Sequence, residues 1–185
     1  RGRGAIYRFR HVLFHEVAYG MLPKTDRSRL HDRYREWSET TTDEPRDEQI
    51  AHHAEQAYLL ANEVRSADAG RLAGVAFDRI RSAADGARAR GDLRSSLGLW
   101  RTAQAIGRSI ELPDREQIEV DGSVLLLRTS FEQGDELWRE VDKLVVRARD
   151  IGPSEMLVRI LVAAGWREYT SSIERSAELM QEAHT

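Results

Sequence analysis

Along most of this chain of 185 residues, apolar positions recur every three or four residues, which is the spacing of amphipathic helices. The pattern is clearest between Leu72 and Ile110. Alanines crowd its first half as far as Ala87, a Gly91-Asp92 pair interrupts it, and large apolar residues then resume. Because alanines allow two helix backbones to approach and the interruption is short, the pattern predicts an antiparallel helix pair of the kind that stacks into α-solenoids.

The same spacing predicts an all-α fold, with seven helices from Asp47 onwards, of which the last six pair as three hairpins. A loop over 65–70 precedes the first hairpin, Pro113 begins the second, and Gly152-Pro153 separates the second from the third. The glycines assigned to the turns within the hairpins are Gly91, Gly134 and Gly165. Their spacings of 43 and 31 residues bracket the ~34-residue tetratricopeptide period, so we predict a tetratricopeptide-like stack.

The first hairpin fits the tetratricopeptide pattern best. Counted from Gly91, its second helix carries Ser96, Trp100 and Ala103 at the small, aromatic and alanine positions. The same offsets from Gly134 fall on other residue types, so the prediction is of a fold similar to these repeats. Three tryptophans lie at the apolar positions of their helices and are interpreted as core anchors: Trp37, Trp100 and Trp138.

The amino-terminal region has a different pattern. Residues 5–10 alternate between apolar and polar and predict a short β-strand, after which a helix over 11–22 ends at Pro23. A second helix follows, and its apolar stripe is formed by Leu30, Tyr34 and Trp37. Residues 38–46, with three consecutive threonines and a proline, predict a linker.

The net charge of −3 is distributed in blocks of opposite sign. Residues 1–40 carry +4, 41–70 carry −5, 71–110 carry +5, and 111–185 carry −7. We interpret these blocks as a means of orienting one helical layer on the next. The chain has no cysteine, no apolar run near the ~20 residues of a membrane helix and no secretory signal, so we expect a cytoplasmic protein without a membrane segment.

No constellation of residues predicts catalysis or a bound cofactor. His11 and His15 lie four residues apart, but Val12 stands where a zinc-protease helix would carry its glutamate. His52 and His53 are adjacent, so about 100° separates them on a helix, and one is expected to pack while the other is exposed. Motifs for a serine nucleophile and for a phosphate-binding loop are absent. We therefore assign no catalytic, cofactor-binding or metal-binding residue.

The basic block over 71–110 supplies the candidate binding residues. Four arginines around the first hairpin are assigned to a partner-binding face: Arg88, Arg90, Arg94 and Arg101. A protein or peptide is the predicted partner. The alternative is a DNA-associated module of a transcription regulator, in which arginines neutralise phosphates. These arginines are spread around the helices, and no run of five basic residues occurs, which favours the protein partner.

Three short motifs follow one another near the amino terminus. They are Tyr-Arg-Phe-Arg-His-Val-Leu-Phe-His-Glu-Val-Ala-Tyr at 7–19, Arg-Ser-Arg-Leu-His at 27–31 and Gln-Ile-Ala-His-His-Ala at 49–54. Together they resemble a stretch of the large bacterial regulatory ATPases of the STAND type, which include LuxR-type regulators and adenylate or guanylate cyclases fused to an AAA-like ATPase. The resemblance covers residues 7–60 and continues more loosely through the helical hairpins.

In that family this region joins the winged-helix end of an ATPase module to a tetratricopeptide-like arm. The resemblance implies that residues 1–42 finish the winged-helix-like module and its linker, and that 43–185 form the helical-repeat domain. It also implies a fragment of a larger signalling protein, with the ATP-binding residues upstream and a non-catalytic arm here. The partner would be another protein or the ATPase module of the same chain. Further hairpins are expected beyond Thr185, and an uncapped solenoid end would allow self-association.

Overall fold

The computed structural model describes residues 12–41, 47–169 and 171–184, with the side chains of the first range given from 16 to 40. Within these ranges the chain is all-helical, as predicted, and contains no strand. The nine helices of this described part are α1 (Val12–Met21), α2 (Lys24–Thr41), α3 (Asp47–Glu63), α4 (Ala69–Ala89), α5 (Leu93–Gly107), α6 (Asp114–Arg128), α7 (Asp135–Ile151), α8 (Glu155–Glu168) and α9 (Ile173–His184). The strand predicted over 5–10 lies outside the described residues.

The chain divides into two compact units, Arg1–Val75 and Ala76–Thr185, which are called unit 1 and unit 2 below. The division falls within α4. The domain boundary predicted between residues 42 and 43 lies in the range 42–46, outside the described residues. The seven helices predicted from Asp47 onwards are present among the described residues.

In unit 1, α2 packs on the alanine-rich face of α3. The apolar stripe predicted for α2 is wrong, because Leu30, Tyr34 and Trp37 are 48%, 37% and 52% exposed. The buried face of α2 instead carries Ser28 and Ser38 together with one arginine. Small hydroxyl side chains let α2 approach α3 closely, whereas a tryptophan in the same place would hold the two backbones apart. Trp37 is therefore no core anchor.

The buried arginine on this face is Arg35, whose charge is neutralised by neighbouring carboxylates. Its guanidinium donates to Asp32 Oδ1 at 2.7 and 3.0 Å and to Glu39 Oε2 at 2.9 Å. Arg71 donates to the other oxygen of Asp32 at 2.9 Å. Burial by itself would raise the pKa of Asp32, but the hydrogen bonds from Arg71 and Arg35 outweigh that effect and lower it. The ion pairs make a buried cation tolerable on a helix face that would otherwise be apolar.

The predicted turn at Gly91 connects α4 to α5. Gly91 has φ +81°, and the N–H groups of Gly91 and Asp92 donate to the carbonyls of Arg88 and Ala87 at 2.9 Å. This is the Schellman arrangement that ends a helix in a left-handed residue. Asp92 then caps α5 by accepting from the Ser95 N–H at 3.0 Å. Across the hairpin, buried Ser96 donates its hydroxyl to the carbonyl of Ala84 at 2.8 Å.

In the rest of unit 2 each helix packs on the next, and α6 also packs on α8. Twelve buried side chains from α6 to α9 form one apolar cluster, against which Trp138 packs while partly exposed. The turn predicted at Gly165 is wrong. Gly165 lies inside α8 and is buried, its carbonyl accepts from Ser176 Oγ at 2.8 Å, and a Cβ there would lie 3.0 Å from Met180. Gly165 allows α8 and α9 to cross closely. The sequence pattern alone does not distinguish a glycine at a helix crossing from a glycine in a turn.

Trp100 is 2% exposed, as predicted for a core anchor. We expect Trp100→Ala to lower the free energy of unfolding of unit 2 by about 3–5 kcal/mol, because it removes a large buried side chain and leaves a cavity. Trp166→Ala is the matched control, since Trp166 is 67% exposed, and should cost little. Chemical denaturation followed by circular dichroism measures both. Equal effects of the two substitutions would contradict the buried position of Trp100.

The end of α3 repeats the Schellman arrangement with an arginine at the left-handed position. Arg65 has φ +51°, and the N–H groups of Arg65 and Ser66 donate to Asn62 and Ala61. A residue other than glycine at such a φ destabilises the folded state by about 1–2 kcal/mol. Glycine removes this strain, but it also raises the conformational entropy of the unfolded chain, which cancels part of the gain. We expect Arg65→Gly to stabilise unit 1 by about 0.5–1 kcal/mol and Gly91→Ala to destabilise unit 2, as thermal unfolding would show. A lower melting temperature for Arg65→Gly would contradict this.

Candidate functional site

Unit 2 contains a cavity of about 380 Å³ that is open to solvent on one side. All five helices from α4 to α8 contribute to its lining. The first helices of the three predicted hairpins, which are α4, α6 and α8, supply most of the side chains. The remainder come from α5, α7 and Ser154, which precedes α8. A volume of this size is typical of ligand sites in proteins.

The lining contains an apolar part, which is called the apolar floor below. It consists of the side chains of Trp100, Ile118, Ala148, Ile151 and Met156, all of which except Ile151 are buried. Gly122 on α6 leaves room for Met156, because a Cβ at this position would overlap the Met156 sulfur atom. The close approach of α6 to α8 at this glycine therefore sets the position of one wall.

Charged residues also line the cavity, and each first helix contributes an arginine and a carboxylate three or four positions apart. The three pairs are Asp85 with Arg88 on α4, Arg115 with Glu119 on α6, and Glu155 with Arg159 on α8. Such spacing places both members of a pair on one face of the helix. The cavity thus combines apolar area with both signs of charge.

The partner-binding face predicted from the sequence is only partly at this cavity. Arg88 lines it, whereas Arg90, Arg94 and Arg101 do not. The guanidinium of Arg94 lies 5.3 Å from the centre of the Phe131 ring, and Arg101 lies 3.5 Å from a carboxylate oxygen of Glu132. Whether these four arginines bind a partner stays a prediction. The arginine and carboxylate pairs that line the cavity from α6 and α8 were missed, and their recurrence on alternate helices is the signal that could have found them.

Unit 1 contains a second polar cluster, in which three aromatic side chains form a chain of hydrogen bonds. The Tyr19 hydroxyl lies 2.8 Å from His31 Nε2, and His31 Nδ1 lies 2.8 Å from His53 Nδ1. Tyr34 stacks on the His53 ring with centroids 4.3 Å apart. As expected for adjacent histidines, His53 packs and His52 is exposed, yet the His52 ring centroid also comes within 6.5 Å of that of His31.

The surroundings of His31 and His53 in this cluster favour the uncharged form of both imidazoles. Burial is the largest cause that lowers the pKa of His31 to about 4, followed by the neighbouring charges of His53, His52 and Arg27. Burial likewise lowers the pKa of His53. A hydrogen bond between two Nδ1 atoms needs one proton, which one ring donates and the other accepts, so double protonation breaks it. The contact between α2 and α3 is therefore sensitive to acid.

Among the described residues, no group of three or more histidines, aspartates or glutamates is arranged to hold a metal ion, and the cluster around His31 is no exception. The pair His11 and His15 lies outside the described side chains. In the same part of the chain, no helix is long and apolar enough to cross a membrane.

No family model, curated protein or solved structure matches this chain.

The lowered pKa of His31 gives unit 1 a defined pH dependence. The unfolded imidazole takes up its proton near pH 6.5 and the folded one only at about 4, so the unfolded state binds more protons between these values. We expect the stability of unit 1 to fall as the pH falls from about 6.5 to 4, and to change no further through His31 below that. Thermal unfolding across this window measures it.

The substitution that tests the assignment is His31→Phe, which keeps a ring at the position and removes the titrating group. We expect it to flatten the pH dependence in part, since His53 also contributes. His184→Gln serves as the control, because His184 is exposed near the end of α9 and should leave the dependence unchanged. A pH dependence that persists in full in His31→Phe would assign it to other groups.

Proposed function

We propose that this chain is a non-catalytic protein-interaction module whose unit 2 binds a segment of another polypeptide in the cavity between α4 and α8. The observation that carries this is the lining itself, which combines an apolar floor with arginine and carboxylate pairs from three alternate helices. Apolar area provides affinity for a side chain, and the charges provide orientation and specificity. Helical-repeat proteins likewise present extended concave surfaces as binding sites.

The tetratricopeptide-like stack remains part of this proposal, and two features support it. The contact of α6 with α8 joins the first helices of successive hairpins, which is expected of a stack. The hydroxyl-to-carbonyl bond between Ser96 and Ala84 in the first hairpin recurs between Ser176 and Gly165 in the third. Both serines lie near the start of the second helix of their hairpin. The recurrence indicates one packing scheme used twice.

The internal pairing of the basic residues supports a protein partner over the alternative of DNA. Arg81 pairs with Glu119 at 3.4 Å, and Arg94 and Arg101 contact an aromatic ring and a carboxylate of unit 2. Cations that are already neutralised within the protein have less to gain from phosphates. At these three positions the positive block over 71–110 contributes to contacts within the protein.

We test the binding site by charge reversal at two matched pairs of arginines. A library of random short peptides displayed on phage is selected against the chain, and the affinity of the selected peptides is measured for each variant. The double variant Arg88→Glu with Arg115→Glu changes the cavity, while Arg94→Glu with Arg101→Glu changes the face outside it by the same charge. We expect the first to weaken binding at least about tenfold, equal to 1.4 kcal/mol, and the second to have little effect.

The opposite result would assign the binding face to Arg94 and Arg101 and would overturn the proposal that the peptide binds in the cavity. Failure of the wild-type chain to select any peptide would overturn the interaction module altogether. A titration with duplex DNA at low and high salt completes the test, because tight binding that weakens steeply with salt would favour the DNA-associated module.

The resemblance to STAND-type regulators leads us to propose further that the module is the regulatory arm of a signalling ATPase. In such an arm, partner binding would change the packing against the ATPase module, provided that the partner has different affinities for the two states. Sequencing the gene upstream of the Arg1 codon tests this. A phosphate-loop motif after a predicted strand would support it, and a start codon close to Arg1 would overturn it.

A further inference from the structure

The lining of the cavity in unit 2 includes an arginine whose charge no described residue neutralises. This is Arg159 on α8, which is partly buried and whose guanidinium forms no hydrogen bond or ion pair with any described residue. A guanidinium presents five N–H donors in a planar fork that matches a carboxylate. The Arg159 nitrogens are not among the buried atoms that lack a partner, so they are accessible from the cavity and can receive an anionic oxygen of a ligand.

The other charges of the lining leave the surplus positive. Asp85 lies 3.7 Å from Arg88, so these two compensate each other. Glu119 is compensated from outside the cavity by Arg81 at 3.4 Å. Arg115 donates to the carbonyl of Pro153 at 2.9 Å, an acceptor that carries no net charge. Two arginines, 115 and 159, thus face a single uncompensated carboxylate, that of Glu155.

The size of this surplus selects among anions. A phosphate group carries a charge of about −1.5 to −2 at neutral pH, whereas a carboxylate carries one. Because the surplus is one positive charge, a carboxylate brings the lining to neutrality, whereas a phosphate dianion leaves it negative beside Glu155. The apolar floor at Ile118 and Met156 lies in the same cavity and has room for a side chain next to the anionic group.

We infer that the cavity binds a peptide segment in which a carboxylate lies beside an apolar side chain, with Arg159 as the residue that receives the carboxylate. This inference rests on the proposed function and names the chemistry of its ligand. The carboxylate has two sources, an aspartate or glutamate side chain and the carboxyl terminus of the partner.

The experiment uses the peptides selected by the full chain and measures their affinity by isothermal titration. Each peptide is compared with versions in which the carboxyl terminus is amidated, in which Asp or Glu is replaced by Asn or Gln, and in which the acidic residue is replaced by phosphoserine. We expect one of the two neutralised versions to bind about 10–100-fold more weakly, since hydrogen bonds to charged groups are the strong ones. The version that fails identifies the source of the carboxylate, and phosphoserine should not improve binding.

The variant Arg159→Gln should bind the parent peptide about 10–100-fold more weakly than the wild-type chain does. It should bind the neutralised peptide as well as the wild-type chain does. Arg159→Lys should recover part of the affinity, because lysine keeps the charge without the planar fork. The matched control is Arg139→Gln, which makes the same change on α7 at an exposed arginine that donates to the carbonyl of Asp135. We expect it to leave all affinities unchanged.

The inference fails if peptides bind equally well with and without carboxylates, or if Arg159→Gln and Arg139→Gln behave alike. It also fails if phosphoserine peptides bind more tightly than acidic ones. In each of these cases the proposed function stands as long as reversal of Arg88 and Arg115 weakens binding. If no peptide is selected at all, both the proposed function and the inference fail.

Discussion

The close crossing of paired helices, made by small side chains and one buried hydroxyl, is the contact on which the rest of this chain depends. In three places a buried serine on one helix donates to a main-chain carbonyl of its neighbour at 2.8 Å. The three bonds join Ser28 to Ala57, Ser96 to Ala84, and Ser176 to Gly165. A hydroxyl at this position costs little burial because its hydrogen bond is satisfied, and it is short enough for the backbones to approach.

This contact explains both the positions that are apolar and those that are not. Where two helices nearly touch, large side chains must lie to either side of the crossing, as Trp100 does beside Ser96. On α2 the crossing is occupied by serines and Arg35, so its aromatic residues are turned outwards. In α6 the same principle operates at Gly122, where the absence of a side chain admits Met156 and shapes one wall of the cavity.

The cavity shows how such packing leaves a space that five helices line with both apolar and charged residues. Its apolar floor consists of side chains that are mostly buried between the helices, while its charged residues lie on the first helices. Two of these charged residues also join neighbouring elements, because Glu119 pairs with Arg81 and Arg115 donates to the carbonyl of Pro153. In the histidine cluster of unit 1, the titrating groups His31 and His53 likewise belong to the contact between α2 and α3.

The sequence by itself determined the all-helical class, the helices from Asp47 onwards, the turn at Gly91 and the burial of Trp100, because these follow from local spacing and from turn chemistry. Only the tertiary structure decided that Gly165 lies at a helix crossing and that Trp37 is exposed, since both depend on which face a neighbouring helix covers. The cavity likewise needed the structure. Its arginines, such as Arg115 and Arg159, come from different helices, and only the packing of α6 on α8 brings them to one place.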